Sequence, residues 1–157
     1  MQINIDIDGN VFNPIYRPYL DDSTYTQIFY GGSSSGKSYF LAQRCILDML
    51  HGNHNYLIAR KVARTVRKSV FNEICKAISF FKVSKLFHIN VSELVITGPN
   101  DFQILFVGLD DVEKVKSITP KRGVITDCGV EEATESDYAD IKQVKKSLRG
   151  HADVSKS

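Results

Sequence analysis

A chain of 157 residues, 43% hydrophobic and 24% charged, is long enough for one soluble globular domain with a real core, and a formal net charge of +2 by itself points to no class of partner. No apolar run approaches the ~18 residues of a membrane helix, and Met1-Gln2-Ile3-Asn4-Ile5-Asp6 is not a signal peptide, so a cytosolic setting away from membranes is expected. Cys45, Cys75 and Cys128 are far apart, odd in number and each in an apolar stretch, which favours buried reduced thiols over a disulfide or metal role.

In chain order, Ile3, Ile5 and Ile7 alternate with polar residues, so residues 2–7 read as a short half-buried strand. Residues 9–22, with Pro14 and Pro18, read as an ordered loop. Tyr25-Thr26-Gln27-Ile28-Phe29-Tyr30 is rich in β-branched and aromatic residues and reads as a buried strand. It leads into Gly31-Gly32-Ser33-Ser34-Ser35-Gly36-Lys37-Ser38, which matches G-x-x-x-x-G-K-[ST], the phosphate-binding loop of ATPases and GTPases. Such a loop turns backbone N–H groups inward around phosphate oxygens, and glycines permit the required dihedrals. Lys37 is then placed to reach the β- and γ-phosphates of ATP, and the Ser38 hydroxyl to bind Mg²⁺. Tyr39–His51 is long enough for a helix, with Gly52 where a C-terminal cap would fall; the helix aims its N-terminal dipole at the same anion. Tyr16, Arg17 and Tyr19 stand close enough before the loop to cover an adenine ring, although loop aromatics more often anchor packing.

A second strand is expected over residues 55–60, followed by a helix over 62–81 whose stripe is Val66, Val70, Ile74 and Ile78. Alternating strands and helices predict an α/β fold with a parallel-core sheet flanked by helices. Arg60, Lys61, Arg64, Arg67 and Lys68 crowd this junction, either as a solvated face or, Arg60 and Arg64 foremost, as contacts to phosphate or DNA at the carboxyl edge of the sheet. Residues 91–97 and 102–107 read as a hairpin joined by Gly98-Pro99-Asn100-Asp101. A short helix over 112–118 and a loop over 119–126 follow. The apolar run before Val130-Glu131-Glu132 then ends in adjacent acids. Glu131 is the expected Mg²⁺ ligand and Glu132 the residue that polarises the attacking water; Asp127 is a rival for the metal. A helix over 136–149, with Asp137 and Asp140 early and Lys145, Lys146 and Arg149 late, would be closed by Gly150, with a loose polar tail after it.

Three blocks together resemble the large terminase subunit of tailed bacteriophages: Tyr30–Ser38, Phe106-Val107-Gly108-Leu109-Asp110-Asp111 with Lys114 to Ser117, and Val130-Glu131-Glu132-Ala133-Thr134-Glu135. Arg60-Lys61 and Leu148-Arg149-Gly150 fit the same pattern. The resemblance implies a phosphate-loop (P-loop) NTPase fold of the ASCE type, ATP and Mg²⁺ as cofactors, and hydrolysis that drives double-stranded DNA into a prohead. It also implies a small terminase subunit and a portal as partners, a ring of like subunits, and work in the host cytoplasm. On that pattern the chain is one ATPase domain over 1–157 with a sheet incomplete at its C-terminus and no nuclease domain. Ser33 departs from the pattern, since many packaging ATPases carry an arginine there. The competing readings are a catalytically incomplete nucleotide-binding or assembly fragment and another ATPase or kinase of this fold; a kinase lid is not evident.

Overall fold

The computed structural model describes residues 4–148 and has five strands: β1 (Tyr56–Arg60), β2 (His88–Asn90), β3 (Val95–Thr97), β4 (Gln103–Gly108) and β5 (Asp127–Val130). They form one open sheet in the order β2-β3-β4-β1-β5, in which β4, β1 and β5 are parallel and β2 and β3 are antiparallel additions. The helices are α1 (Lys37–His51), α2 (Ala63–Val66), α3 (Asn72–Phe80), α4 (Val112–Ser117) and α5 (Tyr138–Lys146).

Why the parallel strands read as unbroken apolar runs is visible in β1. Successive side chains point to opposite faces. Tyr56 and Ile58 enter one core with α1 and α3, while Leu57 and Ala59 enter a second with α4 and α5. On the first face Ile46, Met49, Ile74 and Ile78 from the helices meet Ile58, Ile104 and Phe106; on the second Val115 and Val144 meet Leu57, Leu105 and Val107. Leu57 and Ile58 are fully buried, and each such side chain removed from water contributes about 1.5 to 3 kcal/mol. The α/β reading with a parallel core between helices therefore holds, and the sheet is not closed.

Four local expectations do not. Tyr25–Tyr30 joins no strand ladder, although it keeps the two-residue alternation of an extended chain. Phe29 packs edge-on to Tyr16, Tyr19 and Phe40, whereas Ile28 is 80% and Tyr30 92% exposed. A ladder needs a neighbouring backbone, and the sheet ends at β5 on one side and β2 on the other. At the N-terminus, residues 4–7 likewise form no strand; residues 2 and 3 lie outside the described residues.

The expected hairpin has shifted. Residues 91–94 form a turn between β2 and β3 because the Asn90 carboxamide oxygen takes the Glu93 N–H at 3.0 Å and the Ser92 hydroxyl at 2.8 Å, and Leu94 adopts φ +54°. The β3–β4 hairpin remains as expected. The helix expected over 62–81 is broken by a π-type stretch, Arg67–Phe71, in which Ser69 leaves helical dihedrals and its hydroxyl meets the Val66 carbonyl. Among the described residues no helix is long and apolar enough to cross a membrane. Of the cysteines, Cys45 is buried and Cys75 and Cys128 are half-buried; all are free thiols, and burial pushes Cys128 up to about 12. Arg149, Gly150 and the tail lie outside the described residues.

Candidate functional site at the carboxyl edge of the sheet

The direction of α1 fixes where the glycine-rich loop sits. Near the end of α1, the Asp48 carboxylate accepts a hydrogen bond from the Tyr56 hydroxyl, at the amino end of β1. Toward the start of α1, Leu41 lies instead against Gly129, two residues before the acids. A Cβ on Gly129 would come within 2.9 Å of Ile58 Cδ1 and 3.3 Å of both Leu41 methyls, so glycine is what lets α1 approach β5 this closely. The loop before α1 and the acids after β5 thus share the carboxyl edge of the parallel strands, where open α/β sheets form ligand sites.

The loop is built around its own backbone. Gly36 takes φ +81°, ψ 11°, a conformation open to glycine, and is the residue from which α1 starts. No side chain caps this helix end, so the first-turn N–H groups remain available to an anion. Ser35 N–H donates to Gly32 O at 3.1 Å, closing a turn over Ser33 and Ser34, which are exposed with Gly31 and Gly32. Lys37 Nζ folds into that turn and donates to Gly31 O at 2.8 Å, Gly32 O at 2.9 Å and Ser35 Oγ at 3.1 Å. The loop oxygens hold the ammonium at the mouth of the loop.

At the end of β5 the ladder runs one residue further, as Glu131 N–H donates to Ala59 O at 2.9 Å. Glu131 is 8% exposed, and its Oε2 has no hydrogen-bond partner; Arg60 Nη1 stands 3.8 Å away. Glu132 is exposed and sits in the left-handed region at φ +51°, ψ 50°, which turns the chain sharply off the strand. Arg60 Nε, also buried without a hydrogen-bond partner, lies 3.8 Å from Glu135. Lys61 donates to Asp140 Oδ2 at 2.6 Å and stands 3.8 Å from Asp137, the two residues that form the capping box of α5. That bond raises the Lys61 ammonium and lowers the Asp140 carboxyl from their usual values. Two successive cations at the end of β1 therefore grip both ends of the acidic turn. The basic cluster divides here, since Arg64, Arg67 and Lys68 face solvent. Sequence reasoning placed Lys61 in the basic cluster, as a solvated charge or a phosphate contact, and missed this pairing because the partner is 79 residues away.

Asp127, the rival for the metal, stands at the opposite edge. It is 1% exposed, with His54 Nδ1 at 2.7 Å and the Thr126 hydroxyl donating to it at 2.6 Å. Of the residues proposed to cover an adenine, Tyr16 is buried, whereas Arg17 and Tyr19 are exposed and each contacts a neighbour. Tyr16 is buried on Phe40, Arg17 Nε donates to Phe12 O at 3.3 Å, and Tyr19 meets the Phe29 ring.

Comparison with known proteins gives the family of the chain. The family described as phage terminase large subunit matches residues 23–157. The chain belongs to that family. Its relatives include the terminase large subunit of Bacillus phage SPP1, 32% identical over 139 residues, and the PBSX phage terminase large subunit of Bacillus subtilis (strain 168), 30% identical over 139 residues. Each alignment covers 87% of this terminase chain but only 33% and 31% of the relative, so the chain spans about a third of their length. Among solved structures, the large terminase of the thermophilic bacteriophage D6E superposes with a TM-score of 0.60 at 15% identity, covering 76% of this chain and 30% of that one. A D6E structure in complex with ADP matches with a TM-score of 0.56 at 14% identity, over 80% of this chain and 30% of that one. The likeness in structure is one of fold.

Proposed function

We propose that this terminase chain is an ATP-binding and ATP-hydrolysing domain whose turnover drives double-stranded DNA into a prohead. The observation that carries the reading is the direction of α1, which sets its G-x-x-x-x-G-K-S loop toward the same sheet edge as the buried acid after β5. The backbone of Gly31 through Gly36, with Ser33, Ser34 and Ser35, surrounds the phosphates, and Lys37 neutralises them. Glu131 and Ser38 fit Mg²⁺: a buried carboxylate oxygen with no hydrogen-bond partner is the kind of donor a hard cation takes. The bound ion would supply charge neutralisation on the phosphate oxygens. Glu132, exposed at the turn, orients the attacking water and accepts its proton at the carboxylate. Arg60, held between Glu131 and Glu135, sets the position of the buried acid and is available to phosphate, while solvent-facing Arg64 is available to phosphate or DNA. A small terminase subunit, a portal and a ring of like subunits are the partners this reading brings with it.

Mg²⁺-dependent ATP hydrolysis by the purified chain tests it. Lys37→Ala should abolish turnover, and Glu132→Gln should keep ATP binding while turnover falls ~100-fold or more. Undiminished hydrolysis in Glu132→Gln would move the base elsewhere. The unladdered segment 25–30 and the open edge at β5 favour a second reading, a nucleotide-binding assembly piece that does no chemistry alone. ATP bound by the wild-type chain without turnover would select it.

A further inference from the structure

We propose that Tyr16 is a positioning residue that locks the peptide plane between Ser35 and Gly36, and with it the readiness of the loop for a phosphate. This rests on the nucleotide reading above for its ligand, but not for its geometry. Tyr16 is 8% exposed, stacks on Phe40 with ring centroids 4.7 Å apart and planes 13° off parallel, and takes the Phe29 ring edge-on at 6.0 Å. From this aromatic layer its hydroxyl donates to the Ser35 carbonyl oxygen at 2.9 Å.

That carbonyl shares a planar trans peptide with the Gly36 N–H, and in such a unit C=O and N–H point in opposite directions. Holding the oxygen down on Tyr16 therefore turns the Gly36 N–H away from the Tyr16 hydroxyl. Nothing local enforces this choice. Gly36 sits at φ +81°, and glycine adopts either sign of φ with similar ease, so the plane before it can flip at little cost. The sequence that makes the loop able to fold around an anion also makes one of its donors unreliable, and a rigid hydroxyl from a residue 19 positions earlier removes that freedom. Phe40 lies on the first turn of α1, so the ring that carries the hydroxyl is itself referenced to the helix the loop feeds.

Tyr16→Phe isolates the bond, since it keeps the ring stack. ATP and ADP affinities should fall about fivefold to tenfold, the worth of one hydrogen bond. KM should rise by the same factor with kcat nearly unchanged, and the melting temperature should hold. In ¹⁵N-labelled protein without nucleotide, the Gly36 amide resonance should shift or broaden. Tyr16→Leu, which also removes the stack, should lower the melting temperature and so reports packing separately. An unchanged Gly36 resonance in Tyr16→Phe overturns the lock. A changed resonance with unchanged nucleotide affinity overturns its role at the anion. If the wild-type chain binds no nucleotide, the functional reading fails by itself and the Gly36 resonance still decides the lock.

Discussion

The two edges of the parallel strands hold the same kinds of residue and treat them in opposite ways. At the amino edge Asn55, fully buried, satisfies its whole side chain: Nδ2 donates to Arg122 O at 2.7 Å and Val124 O at 3.0 Å, and Oδ1 accepts from Gln103 N–H at 2.7 Å. Arg44 there reaches Tyr19 O and Gln27 Oε1, and Asp127 meets His54 and Thr126. At the carboxyl edge Arg60 Nε, Glu131 Oε2 and Ser136 Oγ are buried without hydrogen-bond partners, and Glu132 adopts a left-handed backbone. Buried polar atoms are paired almost everywhere in folded proteins. Several atoms without hydrogen bonds beside a strained residue are what the proposed function expects of a ligand edge, whereas the fully bonded amino edge is what a scaffold needs.

Breaking the scaffold edge should have the largest effect. Asn55→Leu would leave the Gln103 N–H and two carbonyls without their partner, and urea unfolding should show a loss of about 3 kcal/mol with the slope unchanged. The sharper test compares two acids four residues apart. Asp127→Asn should cost about 2 kcal/mol, because His54 and Thr126 lose a charged acceptor. Glu131→Gln should stay within about 0.5 kcal/mol, since its distant ion pair with Arg60 roughly offsets the desolvation of the charge. Equal losses at both positions would erase the distinction between the edges.

How far the sequence disclosed this can be traced residue by residue. The glycine-rich loop is a contiguous consensus, and β1 and β4 are apolar runs, so both are legible locally. The 25–30 alternation correctly signals an extended chain with one packed face, but whether a ladder forms depends on a partner backbone that no local pattern encodes. Val91 and Leu94 look like strand residues, yet the Asn90 side chain captures the next turn. Asn55 reads as the start of a strand, and nothing around it says that its carboxamide ties together residues 103, 122 and 124. At the acidic turn the residue types were legible, whereas the clamp from Arg60 and Lys61 was not, because its partners come from the far end of the chain.

The scaffold edge also carries a titration. His54 faces Asp127, Asp48 and Arg44 and stacks on the Tyr56 ring; the Asp127 contact raises its pKa above the usual histidine value against the opposing effect of burial. A raised folded pKa means that the charged pair stabilises fully below the unfolded value of 6.5 and is lost as pH rises through the folded one. His54→Gln should therefore cost about 1 to 2 kcal/mol near pH ~5.5 and clearly less near pH ~8.5. Asp48, which burial raises and the His54 charge lowers, is coupled to His54, so its own titration shifts in the variant and contributes to the same pH-dependent difference. A gap between wild type and variant that does not change with pH would mean that the His54 contact is not an ion pair.

The smallest expected change has the opposite sign. Glu132 holds φ +51°, ψ 50°, a conformation that strains a residue with a Cβ and that glycine adopts freely. Glycine also loses more backbone entropy on folding, so the relief is partly offset and Glu132→Gly should gain only about 0.5 kcal/mol. On the proposed mechanism the same substitution removes the residue that orients water, so turnover should collapse while stability rises. That pairing separates strain retained for chemistry from strain with no purpose. A destabilised Glu132→Gly would show that the side chain holds the turn in place, and the left-handed residue would then belong with the scaffold.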